Sequence, residues 1–182
     1  QQLEEAITPR TKLIMFSSPS NPTGMLYTKE ELKGIAEVLE RHPNIFVMAD
    51  EIYEHINFEG KHESLAQFPS VKEQVITVNG VAKGFAMTGW RIGYTGSSEE
   101  IAKLMGSVQS HATSNPNSIA QKAAVEALNG PQDAVVAMRK EFDERRKYMF
   151  ERVTNMPLVS VIEPKGAFYC FIDVSIMKLF VI

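Results

Sequence analysis

Residues 45–53 read Ile45-Phe46-Val47-Met48-Ala49-Asp50-Glu51-Ile52-Tyr53. The apolar run at the start has the length of a strand. It does not alternate with polar residues, so both faces of that strand are expected to be covered. It then stops at two acids. Upstream, Leu13-Ile14-Met15-Phe16 is a similar run, followed by the turn-rich Ser17-Ser18-Pro19-Ser20-Asn21-Pro22-Thr23-Gly24. Downstream, Val75-Ile76-Thr77-Val78 is a third strand and Arg91-Ile92-Gly93-Tyr94 a fourth. A helix separates the first two. Thr28 caps it, Glu31 completes a capping box, and Leu32, Ile35, Ala36 and Leu39 form its apolar face. The longer segment between the second and third strands holds a short helix over Glu63 to Phe68. Strands separated by helical crossovers predict an open α/β sheet.

From Ser97 the pattern turns helical. One helix is expected from Ser98 to about His111, and another opens at Ser114 or Asn115 and ends at Gly130. Pro131 suits the first position of a third, with Val135, Met138, Phe142, Met149 and Val153 on one face. The charged stretch Arg139 to Arg146 reads as a solvated helix face. Pro157 and Pro164-Lys165-Gly166 bracket two short strands, Val159 to Ile162 and Ala167 to Ile172. This change of pattern predicts a domain boundary: 1–130 in one domain, 131–156 a bridging helix, 157–182 the start of a second domain. Leu3-Glu4-Glu5-Ala6-Ile7 reads like the tail of a helix, and Leu179-Phe180-Val181-Ile182 is apolar with no cap. Both ends therefore read as cuts inside a larger fold.

Composition narrows the function. The 182 residues are 44% hydrophobic with a formal charge of −3. Acids and bases are spread along the chain, which favours neither nucleic acid nor an anionic membrane surface. No apolar run approaches the roughly 20 residues of a spanning helix, and the first residues are not a signal peptide. One cysteine, Cys170, leaves no internal disulfide and fits a reducing compartment, so the cytoplasm is expected. Cys170 reads as inert core. The scattered His42, His55, His62 and His111 read as surface residues.

Chemistry collects just after the strands. Asn21 follows the first, Asp50 and Tyr53 the second, and Lys83 the third, in Asn79-Gly80-Val81-Ala82-Lys83. Each interval is close to the roughly 30 residues of one βαβ unit. If the strands are parallel, these groups meet at the carboxyl edge of the sheet, where open α/β sheets bind ligands. Arg91 follows Lys83 closely, across Thr88-Gly89-Trp90. No histidine or cysteine joins the set, so a metal site is not expected. No glycine-rich fingerprint follows a strand, so neither is a nucleotide phosphate loop. A cofactor with a phosphate, a phenolic oxygen, a ring nitrogen and an aldehyde would use all five groups.

Ser20-Asn21-Pro22-Thr23-Gly24, Asp50-Glu51-Ile52-Tyr53 and Ala82-Lys83-Gly84-Phe85-Ala86-Met87-Thr88-Gly89-Trp90-Arg91-Ile92-Gly93-Tyr94, in this order, resemble class I and II aminotransferases of fold type I. The last block most resembles the bacterial-type aspartate aminotransferase branch. The resemblance implies part of a large domain, with a mostly parallel sheet and helices on both faces, then the start of an α+β small domain. It also implies pyridoxal 5'-phosphate as cofactor. Lys83 would hold it as a Schiff base and shuttle a proton. Asp50 would bind its ring nitrogen, Asn21 and Tyr53 its phenolic oxygen, and Arg91 its phosphate. Catalysis would fall to Lys83, Asp50 and Tyr53. Many relatives carry a serine three residues before the lysine, where this chain has Gly80. The Asn21-Pro22 bond is expected to be cis, as in relatives.

The implied activity is amino-group transfer from an amino acid, aspartate first, to a 2-oxo acid, in a homodimer. Two alternatives share these residues: a pyridoxal-phosphate-dependent lyase or decarboxylase, and a non-catalytic aminotransferase-like module. The resemblance places the substrate-carboxylate arginine and the ring-stacking aromatic outside these residues. The 182-residue chain alone, mixed with pyridoxal phosphate, aspartate and 2-oxoglutarate, is therefore expected to release oxaloacetate far more slowly than an intact aminotransferase. Comparable turnover would contradict that placement.

Overall fold

The structure, a computed structural model, describes residues 1–180. A short helix α1 (Gln2–Ala6) precedes strand β1 (Leu13–Ser17), helix α2 (Lys29–Glu40) and strand β2 (Phe46–Asp50). Strands β3 (Val75–Gly80) and β4 (Gly93–Gly96) complete a sheet of order β1-β2-β3-β4. The first three strands are parallel and β4 runs antiparallel to β3.

The α2 crossover forms as its sequence dictates. Thr28 Oγ1 accepts from the Glu31 amide at 3.2 Å, and Glu31 Oε2 accepts from the Thr28 amide at 2.8 Å. Leu32, Ala36 and Leu39 then bury against Ile45, Val47, Leu65, Val71 and Val75. Complete burial of a leucine such as Leu32 or Leu39 stabilises by roughly 1.5–3 kcal/mol. Buried Gln74 closes the helix end, donating to the carbonyls of His42 at 3.0 Å and Ile45 at 2.8 Å. The segment expected to be helical over Glu63 to Phe68 is a single 3₁₀ turn, Leu65–Gln67.

Two expectations about the sheet need correction. The fourth strand begins two residues later than Arg91, because Arg91 sits at φ 54° and ψ 48°, a left-handed conformation that breaks a ladder. It is antiparallel because the 81–92 connection, which holds a 3₁₀ turn at Thr88–Trp90 and no crossover α-helix, brings the chain back along β3. Cover is also unequal. Val47 and Ala49 are fully buried, whereas Leu13, Met15 and Phe46 on the opposite face are 45%, 64% and 39% exposed.

Helices α3 (Glu99–Ala112), α4 (Ser118–Asn129) and α5 (Asp133–Thr154) follow. Helix α4 starts later than expected, capped by the Asn117 side chain at 3.1 Å from the Ala120 amide. Pro116 pushes Asn115 out of the helical region, and Ser114 has a positive φ of 63°. Pro131 lies two residues ahead of α5 rather than inside it. Arg146 is no solvated residue. Its side chain is 11% exposed, pairs with Asp143 and Glu163, and lies 5.1 Å over the Phe58 ring.

The expected terminal strands shrink to β5 (Ser160–Val161) and β6 (Ile172–Asp173), an antiparallel pair. Residues 164–167 spend their backbone elsewhere. The Lys165 and Gly166 amides donate to the Gly24 carbonyl at 2.8 and 2.9 Å, and the Ala167 amide donates to Ile56 O at 2.7 Å.

Gly24 makes this docking possible. It has φ +70°, and a Cβ there would meet Pro164 Cβ at 2.6 Å. In the protein as encoded by its gene, Gly24→Ala should cost roughly 2–4 kcal/mol, combining the left-handed backbone with overpacking. Gly34, inside α2 with open space around it, should instead gain about 1 kcal/mol on Gly34→Ala. Urea midpoints with unchanged slopes would measure both.

Candidate active site

Register explains how distant residues meet. Ser17 pairs with Asp50, and Asp50 with Val78, so β1 and β2 end together and β3 runs two residues further, to Gly80. Two bonds continue the ladder past the strand ends: Ser18 N to Asp50 O at 3.0 Å and Glu51 N to Val78 O at 2.8 Å. Asn21, Asp50, Tyr53 and Lys83 all leave from this edge. Arg91 reaches it from the other direction, two residues before Gly93, which pairs with Gly80.

The chain reverses sharply after β2. Asp50 Oδ1 accepts from the Ile52 amide at 3.1 Å, and the Ile56 amide returns to Tyr53 O at 2.8 Å. This turn buries Tyr53 to 3% exposure. The Lys83 ammonium lies 5.8 Å from the Tyr53 ring centre and 5.6 Å from that of Phe168. The Tyr53 hydroxyl is 2.6 Å from the Tyr169 hydroxyl. Burial above all, with the nearby charge of Asp50, holds the Tyr53 phenol above its ordinary range, so it keeps its proton at neutral pH.

Asp50, Tyr53 and Lys83 thus form one cluster. Asn21 and Arg91 share its edge, but no side-chain hydrogen bond joins them to it among the described residues. Asn21 is exposed, in a loop where both Ser18-Pro19 and Asn21-Pro22 are cis. Arg91 Nη1 donates to Thr88 O at 2.8 Å. Gly80 has a packing reason: a Cβ there would lie 2.9 Å from Ile92 O and 3.1 Å from Gly93 Cα. A serine would not fit without moving β4.

The sequence model of the family described as Aminotransferase class I and II matches residues 1–179. The chain belongs to that family. It is 47% identical over 173 residues to an aspartate aminotransferase of Geobacillus stearothermophilus, covering 94% of this chain and 44% of that protein. It is also 47% identical to an aspartate/prephenate aminotransferase of Cereibacter sphaeroides, covering 96% and 44%. Among solved structures, the aspartate aminotransferase from Rhizobium meliloti superposes with a TM-score of 0.92 at 44% identity, covering 96% of this chain and 44% of that one. The chain therefore spans less than half the length of these relatives. Its α/β fold with a mostly parallel sheet is the aminotransferase fold.

Several residues of this aminotransferase edge were not singled out by sequence. Phe168 and Tyr169 were read as part of a strand. The only signal that could have marked them is the glycine and aromatic pair in Gly166-Ala167-Phe168-Tyr169. Glu51, beside Asp50, is buried. It accepts from Ser64 Oγ at 2.6 Å and lies 3.0 Å from His62 Nε2. The His62 side chain is 14% exposed, so it is not the surface residue its scattered neighbours suggested. Glu51, Glu54 and His62 bring oxygen and nitrogen atoms within 4.8 Å of one another. Cys170 lies outside the strands and is only half-buried, and burial pushes its thiol up. No helix of the described residues is long and apolar enough to cross a membrane.

Glu51 braces the loop beneath Asp50. Glu51→Ala would strip the Ser64 hydroxyl of its acceptor and remove the carboxylate beside the buried His62 nitrogen, with an expected loss of roughly 1–3 kcal/mol. Glu73→Ala, at an exposed position, should stay within about 0.5 kcal/mol. Chemical denaturation of the gene-encoded protein would separate the two.

Proposed function

We propose that this chain is the lysine-bearing part of an enzyme that moves an amino group from an amino acid to a 2-oxo acid. Pyridoxal 5'-phosphate would be bound through Lys83, and aspartate is the first amino donor to test. The observation that carries this reading is the cluster of the Lys83 ammonium, the Tyr53 phenol and the Asp50 carboxylate at the carboxyl edge of a parallel sheet. The names of the relatives support aspartate. The donor set also fits the cofactor chemically: an amine for its aldehyde, an anion for its ring nitrogen, a protonated phenol for its phenolic oxygen, and a guanidinium for its phosphate.

When bound, the cofactor supplies an electron sink for the substrate's Cα. The protein supplies position and protons. Lys83 would anchor the group through its amine and would serve as the base that moves the proton at Cα. Asp50 would hold the cofactor's ring nitrogen and favour its protonated form. Tyr53 stays a donor toward the phenolic oxygen, and Asn21 offers a second donor from the β1 loop. Arg91 would exchange the Thr88 carbonyl for phosphate oxygens, which match its planar donors better. We further infer that residues 1–130 belong to the cofactor-binding domain, 131–156 to a bridging helix and 157–182 to a second domain. The working protein is a homodimer in the cytoplasm, the latter in keeping with its single cysteine.

The test is made on the protein as its gene encodes it. Aspartate and 2-oxoglutarate should give double-displacement kinetics, and borohydride reduction followed by peptide mapping should label Lys83. Asp50→Ala should lower kcat on the order of 10²-fold, the scale for losing one preorganised electrostatic partner, with cofactor largely retained. A label on another lysine, or turnover without a 2-oxo acid, would reject the proposal.

A further inference from the structure

The Tyr53 hydroxyl has a second neighbour that amino transfer, as described above, does not use. Tyr169 lies 2.6 Å from it, and either hydroxyl can be the donor. A phenol has one proton and two acceptor positions. On the reading under Proposed function, on which this inference rests, Tyr53 gives its proton to the cofactor's phenolic oxygen. Its contact with Tyr169 must then run the other way.

We propose that Tyr169 is a positioning residue that donates to the Tyr53 hydroxyl and so aims Tyr53's single proton at the cofactor.

The backbone holds this arrangement in place. Tyr169 follows Ala167, whose amide donates to Ile56 O at 2.7 Å, and Gly166 bridges Asn57. The same turn carries Tyr53, through the Ile56 amide bond to Tyr53 O at 2.8 Å. Both rings are thus anchored to one short segment. They meet edge to face at 5.7 Å and 81°. Phe168 closes the cluster, 5.2 Å from the Tyr53 ring at 86° and stacked on Phe142 of α5 at 5.3 Å. Rotation of Tyr53 away from the edge would break the hydroxyl pair and both aromatic contacts. A donated bond also polarises the acceptor phenol, making Tyr53 a stronger donor in turn. The Asp50 carboxylate and the Lys83 ammonium face Tyr53, and Arg145, Arg146 and Cys170 line the cavity beside Tyr169.

The consequence is electrostatic and can be read from the bound cofactor's colour. Donors to the phenolic oxygen favour its anion and weaken that anion's hold on the proton of the Lys83 linkage. In the gene-encoded protein loaded with pyridoxal phosphate, Tyr169→Phe keeps the ring and removes only the hydroxyl. The pH midpoint of the visible absorption should rise by about half a unit, the scale of one neutral hydrogen bond. Tyr53→Phe should raise it further. The double variant should match Tyr53→Phe alone, because Tyr169 acts only through Tyr53. A residue that merely packs would lower thermal stability and leave the midpoint where it was.

An unchanged midpoint in Tyr169→Phe overturns the proposal, and so does an equal shift in the Tyr53→Phe background. If the protein takes up no pyridoxal phosphate, or Lys83→Ala leaves its spectrum unaltered, the underlying reading of the site fails and this inference with it.

Discussion

Everything at the functional edge depends on the parallel pairing of β2 with a strand on each side. Asp50 is bonded into that ladder at its last position, between Ser17 and Val78. Parallel strands end on one side of the sheet, so three loops far apart in sequence begin within a strand spacing of one another. The pairing is held by burial. Val47 packs in one buried cluster with Leu32 and Leu39 of α2, and Ala49 on the same face is fully buried. Loss of that contact would disperse the edge even with every polar residue intact.

A second layer makes the edge usable. Residues 164–169 lie across the β1 loop and the turn after β2, at distances that leave no room for side chains. A Cβ on Gly24 would strike Pro164, one on Gly166 would strike Pro19 at 2.7 Å, and one on Gly84 would strike His55 at 2.5 Å. Gly24 and Gly166 let the 164–167 backbone approach the β1 loop and the turn after β2 closely enough to share hydrogen bonds, and Gly84 leaves room for the His55 side chain. The result is an aromatic wall of Tyr53, Phe168 and Tyr169 beside Lys83. The clamp of Arg146 on Asp143, Glu163 and Pro164 O ties α5 to the same loop. Salt bridges of this kind add little at a surface, but this guanidinium is nearly enclosed and each partner is also a hydrogen-bond acceptor.

Charge and packing are divided between neighbouring acids. Asp50 remains half-buried at the edge, whereas Glu51 turns inward to Ser64 and His62. One residue of difference sends the first to the edge it shares with Tyr53 and Lys83 and the second beneath it, because adjacent side chains leave an extended backbone on opposite faces. The inner acid braces the loop that the outer acid uses.

The sequence by itself determined the local parts. Unbroken apolar runs specified β1, β2 and β3, the Thr28–Glu31 box specified where α2 begins, and polar residues after each strand marked Asn21, Asp50, Tyr53 and Lys83. These follow from periodicity and capping, which act over a few residues. Tertiary structure decided what depends on distant partners. The left-handed Arg91 delayed the start of β4, and the docking of 164–167 onto Gly24 and Ile56 dissolved most of the expected last strand. The same docking brought Tyr169 to Tyr53 across 116 positions. No local pattern encodes such a contact, because its energy comes from close backbone approach at glycines whose neighbours are set only once the sheet has formed.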